Sequence, residues 1–239
     1  MPALARGPTV VVVVLICSPG CDLPLCPSGP DGGLIVDTTP PQITCPGNVT
    51  RPQDPGTCTL VTTFSLTFSG ECFPSVVCDP PTGTAFPLGT TTDTCTVTEQ
   101  SGRSASCSFT VTVTDTMPPM IDSIVPSPDT LWPPDHRLVP VSITVSATDN
   151  CRPVPNCRIV SVTANEPVLG PGSGNTNPDW IITDPGPKVS PAILGVELRA
   201  ERAGGGTGRV YRIDTTCADA SGNTTAGATT VTVPHDQGH

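Results

Sequence analysis

The sequence predicts an all-β chain built as two tandem modules, and three observations carry that prediction. The first is an alternating pattern. Cys95 and Val97 point one way along a strand, and Cys107, Phe109, Val111 and Val113 do so along the next, the period of two of half-buried strands. The two runs meet at Ser101-Gly102, and the arrangement returns near the C-terminus, where Cys217 precedes Ser221-Gly222 and the chain again closes in Thr-Val-Thr-Val at Val233. The second is a repeated opening, Asp37-Thr-Thr-Pro40-Pro41-Gln-Ile43 and Asp115-Thr-Met-Pro118-Pro119-Met-Ile121, which marks two module starts. The third is composition: 239 residues hold 31 prolines and 23 glycines with Thr/Val alternation between them and no convincing amphipathic helix, so short strands and abundant turns are expected.

Taken in order, residues 1–20 have the form of a secretory leader, with Arg6 ahead of an apolar run from Val10 to Cys17. About 20 apolar residues are needed to span a bilayer, so this run is too short for a stable anchor. Removing Cys17 with the leader leaves an odd number of cysteines, and lipidation of Cys21, which follows the small residue Gly20, leaves an even number able to pair. Residues 21–36, rich in Pro, Gly and Asp, read as a flexible tether. The first module, 37–115, opens with a strand from Gln42 to Pro46, whose proline suits an edge where its missing N–H is not needed. Leu60, Thr62, Phe64, Leu66 and Phe68 then alternate, which predicts one strand from Leu60 to Phe68 with that face in the core. Cys72, the run Ser75–Cys78 and a Pro-Pro turn lead to the hairpin, whose Gly102, like Gly222, supplies a positive φ at no Cβ cost. The second module, 116–234, carries alternating runs at Ser142–Thr148, Cys157–Val162 and Val196–Ala200, a short run Asp179–Ile182, loops at Gly170–Asn177 and Gly204–Gly208, and a return strand from Arg209 to Cys217.

These residues carry a resemblance. Pro40-Pro41, Ile43, Cys45-Pro46, Cys78, Gly83, Phe86-Pro87, Gly89, Cys95, Ser101-Gly102 and Cys107-Ser-Phe-Thr-Val111 together resemble the hyalin repeat (HYR) domain over almost its whole length. The resemblance implies an immunoglobulin-like β-sandwich of extracellular proteins, associated with adhesion and not with catalysis. In this chain Phe64 stands where Trp is usual, Gly70-Glu71 where Asp-Asn often precedes the cysteine, and Glu99 and Arg103 where Asp and Asn flank the turn. The second module resembles a bacterial extracellular immunoglobulin-like repeat through Leu131-Trp-Pro-Pro-Asp-His136, Ala147-Thr-Asp-Asn-Cys151, Asn165-Glu-Pro167, Leu198-Arg-Ala-Glu-Arg202, Gly208-Arg-Val-Tyr211 and Val233-Pro-His235. The expected fold is therefore two tandem immunoglobulin-like β-sandwiches, stapled by disulfides.

Twelve cysteines with no Cys-x-x-Cys pair and only three histidines point to disulfides and an oxidising compartment, hence to a secreted or cell-envelope protein. Strand parity predicts Cys45–Cys107, Cys78–Cys95 and Cys157–Cys217, and Cys58–Cys72 because those two bracket one strand. A net charge of -10 removes the basic surface that nucleic acid or an anionic membrane requires, which leaves an extracellular protein or glycan as the partner class. Arg199, Arg202, Arg209 and Arg212 cluster on one predicted hairpin and are expected to pair across strands with Glu197, Glu201 and Asp214 on an exposed face. No nucleophile–base pair is visible, so no enzyme is expected and no cofactor other than calcium. Calcium is expected at strand ends near the second module's start, on Asp115, Asp149 and Asp219, since it takes oxygen ligands from loops. Two alternatives are a carbohydrate-binding module stacking sugars on Trp132, Trp180 or Tyr211, and a metal-dependent hydrolase domain using His136 and His235.

Overall fold

The computed structural model describes residues 25–28, 33–151, 154–169 and 176–236, with 25–28 and 33–36 described as backbone alone. The expected leader and Cys21 lie outside the described residues, as does most of the predicted loop at Gly170–Asn177. Among the described residues there is no helix, and so none long and apolar enough to cross a membrane. The strands in chain order are β1 (Leu25–Ser28), β2 (Gly33–Val36), β3 (Gln42–Thr44), β4 (Val49–Pro52), β5 (Thr59–Val61), β6 (Thr67–Ser69), β7 (Ser75–Asp79), β8 (Ala85–Pro87) and β9 (Gly89–Thr98). They continue as β10 (Ser104–Thr114), β11 (Met120–Ser127), β12 (Leu138–Thr148), β13 (Asn156–Ala164), β14 (Trp180–Ile182), β15 (Lys188–Val189), β16 (Ala192–Arg199), β17 (Gly208–Ala218) and β18 (Thr224–Pro234). β1 pairs with β2 as an antiparallel hairpin, so part of the segment read as a flexible tether is strand. Its Leu34-Ile35-Val36 run is strand-forming composition that the surrounding Pro and Gly obscure.

Two compact units form, and neither is one continuous stretch. The first takes the chain through Gly47 together with Phe64–Thr82 and Thr92–Phe109; the second takes Asn48–Thr63, Gly83–Thr91 and the chain from Thr110 onward. β9 and β10 sit centrally in a sheet ordered β4-β10-β9-β7, with β4 parallel to β10 and β7 antiparallel to β9. Alternation decides which face is dry. Cys95, Val97, Phe109, Val111 and Val113 are buried, while the opposite face carries hydroxyls that bond across strands at Thr94–Ser108 (3.1 Å) and Thr96–Ser106 (2.8 Å). The single strand expected from Leu60 to Phe68 is two, because β5 pairs with β8 whereas β6 pairs with β3. The chain changes partners between them, and Phe68 ends 46% exposed although Leu60 and Thr62 stay buried.

In the second unit, sheets ordered β11-β12-β16-β14 and β15-β13-β17-β18 share one core. Val141, Ile143, Val145 and Ala147 of β12 and Ala192, Leu194, Val196 and Leu198 of β16 meet Tyr211, Ile213 and Cys217 of β17 and Val231 and Val233 of β18. The register of β13 on β17 shifts between Ile159 and Ser161, and that bulge moves the inward position from Ile159 to Val162 and turns Val160 outward. The chain is thus all-β, in disulfide-stapled tandem sandwiches.

Cys45 is joined to Cys107, Cys78 to Cys95 and Cys157 to Cys217. The expected Cys58–Cys72 pair does not form. Cys58 is joined to Cys151, 93 residues away, and Cys72 is disulfide-bonded elsewhere. The change of strand partner after β5 is the reason, since it leaves Cys58 in the second unit and Cys72 in the first. Cys78–Cys95 and Cys157–Cys217 each join directly opposed residues of neighbouring strands with Cα atoms 4.0 Å apart, so they staple within a sheet.

Candidate cation site and a buried ionic cluster

Asp115 and Asp149 each stand one residue past a strand, after β10 and β12, and in the second unit their carboxylates come together. Ligand atoms of Asp115, Asp149 and Cys151 lie within 4.8 Å of one another, and because the Cys151 sulfur is held in a disulfide, the available donors are the two carboxylates. Asp115 Oδ1 accepts from Gln53 Nε2 at 2.6 Å and from the Met117 amide at 3.1 Å, and its Oδ2 accepts from the Ser221 hydroxyl at 3.4 Å. Asp149 Oδ1 accepts from the Cys151 amide at 2.7 Å, whereas Oδ2 is buried and takes no hydrogen bond from the protein. Burial pushes the Asp149 carboxyl above its ordinary value; the Cys151 amide opposes this, and the negative Asp115 and Asp219 add to it. Asp219, the third expected ligand, is not in the close group. Its oxygens accept from the Ser221 amide (2.8 Å), the Asn223 amide (2.9 Å) and Asn223 Nδ2 (2.8 Å), so it shapes the turn and acts on Asp149 through charge. Two carboxylates with a spare buried lone pair are oxygen donors of the type that a hard divalent ion takes. In the other close group, Cys78, Asp93 and Cys95, both sulfurs belong to one disulfide.

A second polar constellation lies where the sequence reading expected a wet sheet face. Arg212 does meet Asp214 in the open, at 2.8 Å. Arg209 is fully buried instead, and strand parity explains it: Arg209, Tyr211, Ile213, Thr215 and Cys217 share the inward face of β17. Arg209 Nη1 donates to Asp179 Oδ2 (2.6 Å), Glu201 Oε1 (3.3 Å) and the Tyr211 hydroxyl (3.2 Å), and Nε donates to Glu166 Oε2 (3.3 Å). Burial raises the Asp179 carboxyl, and Arg209 pulls it back down. His136 Nδ1 lies 3.1 Å from Glu201 Oε2, and His235 Nε2 lies 3.2 Å from the Gly204 carbonyl. Both histidines of the hydrolase alternative are therefore engaged with the segment after β16, and among the described residues neither belongs to a close group of three metal-ligating side chains. Of the three aromatic platforms, Tyr211 is fully buried, Trp180 packs edge-on against it with ring centroids 6.3 Å apart, and Trp132 is 42% exposed.

Tyr211 offers a clean test of this cluster because it is the only tyrosine in the chain. Burial pushes its phenol up to about 12, with the Arg209 hydrogen bond opposing. An unfolded tyrosine ionises near pH 10, so stability is undiminished below that pH and falls as pH rises from about 10 through 12, by about 3 kcal/mol over two pH units. Absorbance at 295 nm should show one phenolate transition near pH 12 in native protein; a midpoint near 10 with the fold intact would place Tyr211 in water.

The alternation, cysteine spacing and glycine turn of the first sandwich have counterparts in known proteins. Residues 36–113 match the HYR domain family. Over 98 residues, 38% of this chain, the sequence is 36% identical to Hyalin of Strongylocentrotus purpuratus, and that alignment takes in 8% of the longer protein. It is 37% identical over 98 residues to Hyalin of Lytechinus variegatus, 38% of this chain and 18% of that protein. The chain thus spans a small part of these relatives. Among solved structures, cadherin domains 1–4 of Protocadherin Gamma B7 align with 82% of this chain and 49% of theirs at 18% identity and a TM-score of 0.37, a likeness too slight to carry a functional argument. Within the HYR stretch, Phe64, where Trp is usual, packs edge-on against Phe109 with centroids 4.8 Å apart. Glu99, also in that stretch, reaches across to accept from the Glu71 amide at 2.6 Å and the Cys72 amide at 3.2 Å, a role sequence reading did not assign to it.

Proposed function

We propose that this chain is an extracellular, non-catalytic adhesion or spacer module that meets a protein or glycan partner, with a calcium ion on Asp115 and Asp149 stiffening the connection around them. The same reading takes 37–115 as an HYR-like module, 116–234 as a second immunoglobulin-like module of bacterial extracellular type, and Cys21 as a lipid attachment point after leader removal. The HYR match over 36–113 supports the adhesion class, and the disulfides support an oxidising compartment. The observation that carries the cation is the buried Asp149 Oδ2, which takes no hydrogen bond from the protein and faces the negative charge of Asp115.

Two carboxylates at that distance repel, by about 1 kcal/mol once partial exposure is allowed for. In chelator, Asp149→Asn should therefore melt about 2–4 °C above the wild type. Calcium should raise the wild-type midpoint with concentration and leave the variant unmoved, since only the native state binds the ion. Wild-type melts identical in calcium and chelator would remove the ion. Beads coated with the full chain that adhere to no extracellular protein or glycan surface in either condition would remove the adhesive role.

A further inference from the structure

The pole that carries Asp115 and Asp149 in the second unit has a counterpart in the first. In the first unit the turn after β9 closes with Glu99 N–H on the Arg103 carbonyl (2.9 Å) and Gly102 N–H on the Glu99 carbonyl (2.9 Å), with Gly102 at φ 83°. In the second the turn after β17 closes with Asp219 N–H on the Asn223 carbonyl (3.1 Å) and Gly222 N–H on the Asp219 carbonyl (3.4 Å), with Gly222 at φ 90°. The serine before each glycine donates to the aspartate that opens a Pro-Pro segment, Ser101 to Asp37 and Ser221 to Asp115. Each pole also holds a carboxylate on the amide of a disulfide cysteine. Asp149 supplies it to Cys151, and Glu99 supplies it to Cys72 from the turn itself. Gly70 makes room for that reach, because a Cβ there would lie 2.3 Å from Glu99 Oε1.

By these contacts Asp37 corresponds to Asp115 and Glu99 to Asp149, and at each pole buried carboxylate oxygen is left without a hydrogen bond from the protein, Asp149 Oδ2 in the second unit. In the first unit these are Asp37 Oδ1 and Glu99 Oε2, on residues 1% and 3% exposed. The poles differ at the residue after the turn glycine. Arg103 brings its Nε to 3.7 Å from Asp37 Oδ2. Asn223, neutral, spends its Nδ2 on the Asp115 carbonyl (3.2 Å), the Met117 carbonyl (3.4 Å) and Asp219.

We propose that Arg103 is a built-in counter-ion for this pole, pairing with Asp37 beside the Glu99 turn, where at the second pole a divalent cation serves Asp115 and Asp149. A guanidinium within 4 Å supplies a fixed positive charge that needs no ion from solution, and its removal would leave two buried carboxylates with open lone pairs, the donor set that calcium takes. Metal dependence is thereby confined to the second pole. This inference rests on the cation reading proposed above.

Equilibrium dialysis of the full chain against calcium tests both. The wild type should bind about one ion per chain, Arg103→Asn about two, and Arg103→Lys about one, because lysine keeps the charge. A folded Arg103→Asn that still binds one ion, or a wild type that binds two, overturns the counter-ion. A wild type that binds none overturns the cation reading at Asp115 and Asp149; Arg103→Asn then supports the counter-ion if it binds one and overturns it if it binds none. Should Arg103→Asn not fold, Asn223→Arg decides: it should bind no ion and melt in chelator as high as the wild type does in calcium, whereas a variant that keeps its ion defeats the proposal.

Discussion

Arg209→Met should lower stability by about 3–5 kcal/mol, the range for removing one partner of a buried ion pair. The side chains of Arg209, Asp179 and Glu201 are wholly buried, so the variant leaves two carboxylates facing each other in the core with no guanidinium between them. Glu166 and the Tyr211 hydroxyl lose a donor as well. Burial and the Glu201 charge already raise the Asp179 carboxyl and Arg209 already lowers it, so deleting Arg209 leaves only the more distant Arg199, 3.9 Å away, to oppose them. A carboxyl with a raised folded value destabilises the native state above that value, and the penalty is relieved as pH falls through it. The loss in Arg209→Met should therefore shrink toward acid, and urea midpoints across pH would show it. Arg212→Met is the control: its side chain is 61% exposed beside Asp214, so its cost should stay under about 0.5 kcal/mol. A loss of under about 1 kcal/mol in Arg209→Met would mean that the cluster is reached by water.

How much of this was legible follows from what a period-two pattern encodes. It encodes a face, so the inward rows of β9 and β10 could be read residue by residue, and the two glycine turns with them, while β12 and β16 showed as alternating runs. It does not encode a partner. Leu60 through Phe68 kept its alternation, yet the chain pairs first with β8 and then with β3, which no local pattern distinguishes from one continuous strand. The same limit explains the cysteines. Cys78–Cys95 and Cys157–Cys217 sit in pairing strands, where parity is informative, while Cys58–Cys151 links two loops whose meeting depends on the whole fold.

For the sites the signal was present but unevenly used. Asp115 and Asp149 were legible because each follows an alternating run directly, and a residue in that position belongs to a strand-end loop. Arg209 has the parity of Tyr211 and Ile213 and so announced its burial, but a charged residue at that position invites an exposed assignment because an unpaired guanidinium in a core is costly. Its partners come from separate segments, Glu166 after β13, Asp179 before β14 and Glu201 after β16, which sequence alone does not bring together. Two of the three, Glu166 and Glu201, lie in short motifs singled out in the second module's sequence, whereas Asp179 lies in none, so only part of the cluster carried any local signal.

Replacing both Cys157 and Cys217 by alanine should cost about 5 kcal/mol. The bond spans 60 residues of sequence, and the chain-entropy relation gives about 4 kcal/mol for closing a loop of that size. Both residues are fully buried in the core cluster of the second unit, so losing the two sulfurs removes packing as well, worth about 1 kcal/mol. Cys78–Cys95 spans 17 residues, for which the same relation gives about 3 kcal/mol, and Cys78 stands on the edge strand β7. Removing the longer closure should therefore lower the denaturant midpoint further than removing the shorter one. Equal losses would show that the unfolded chain already holds β13 near β17. A smaller loss from Cys157 and Cys217 would mean that β17, paired along its length with both β13 and β18, keeps its register without the bond.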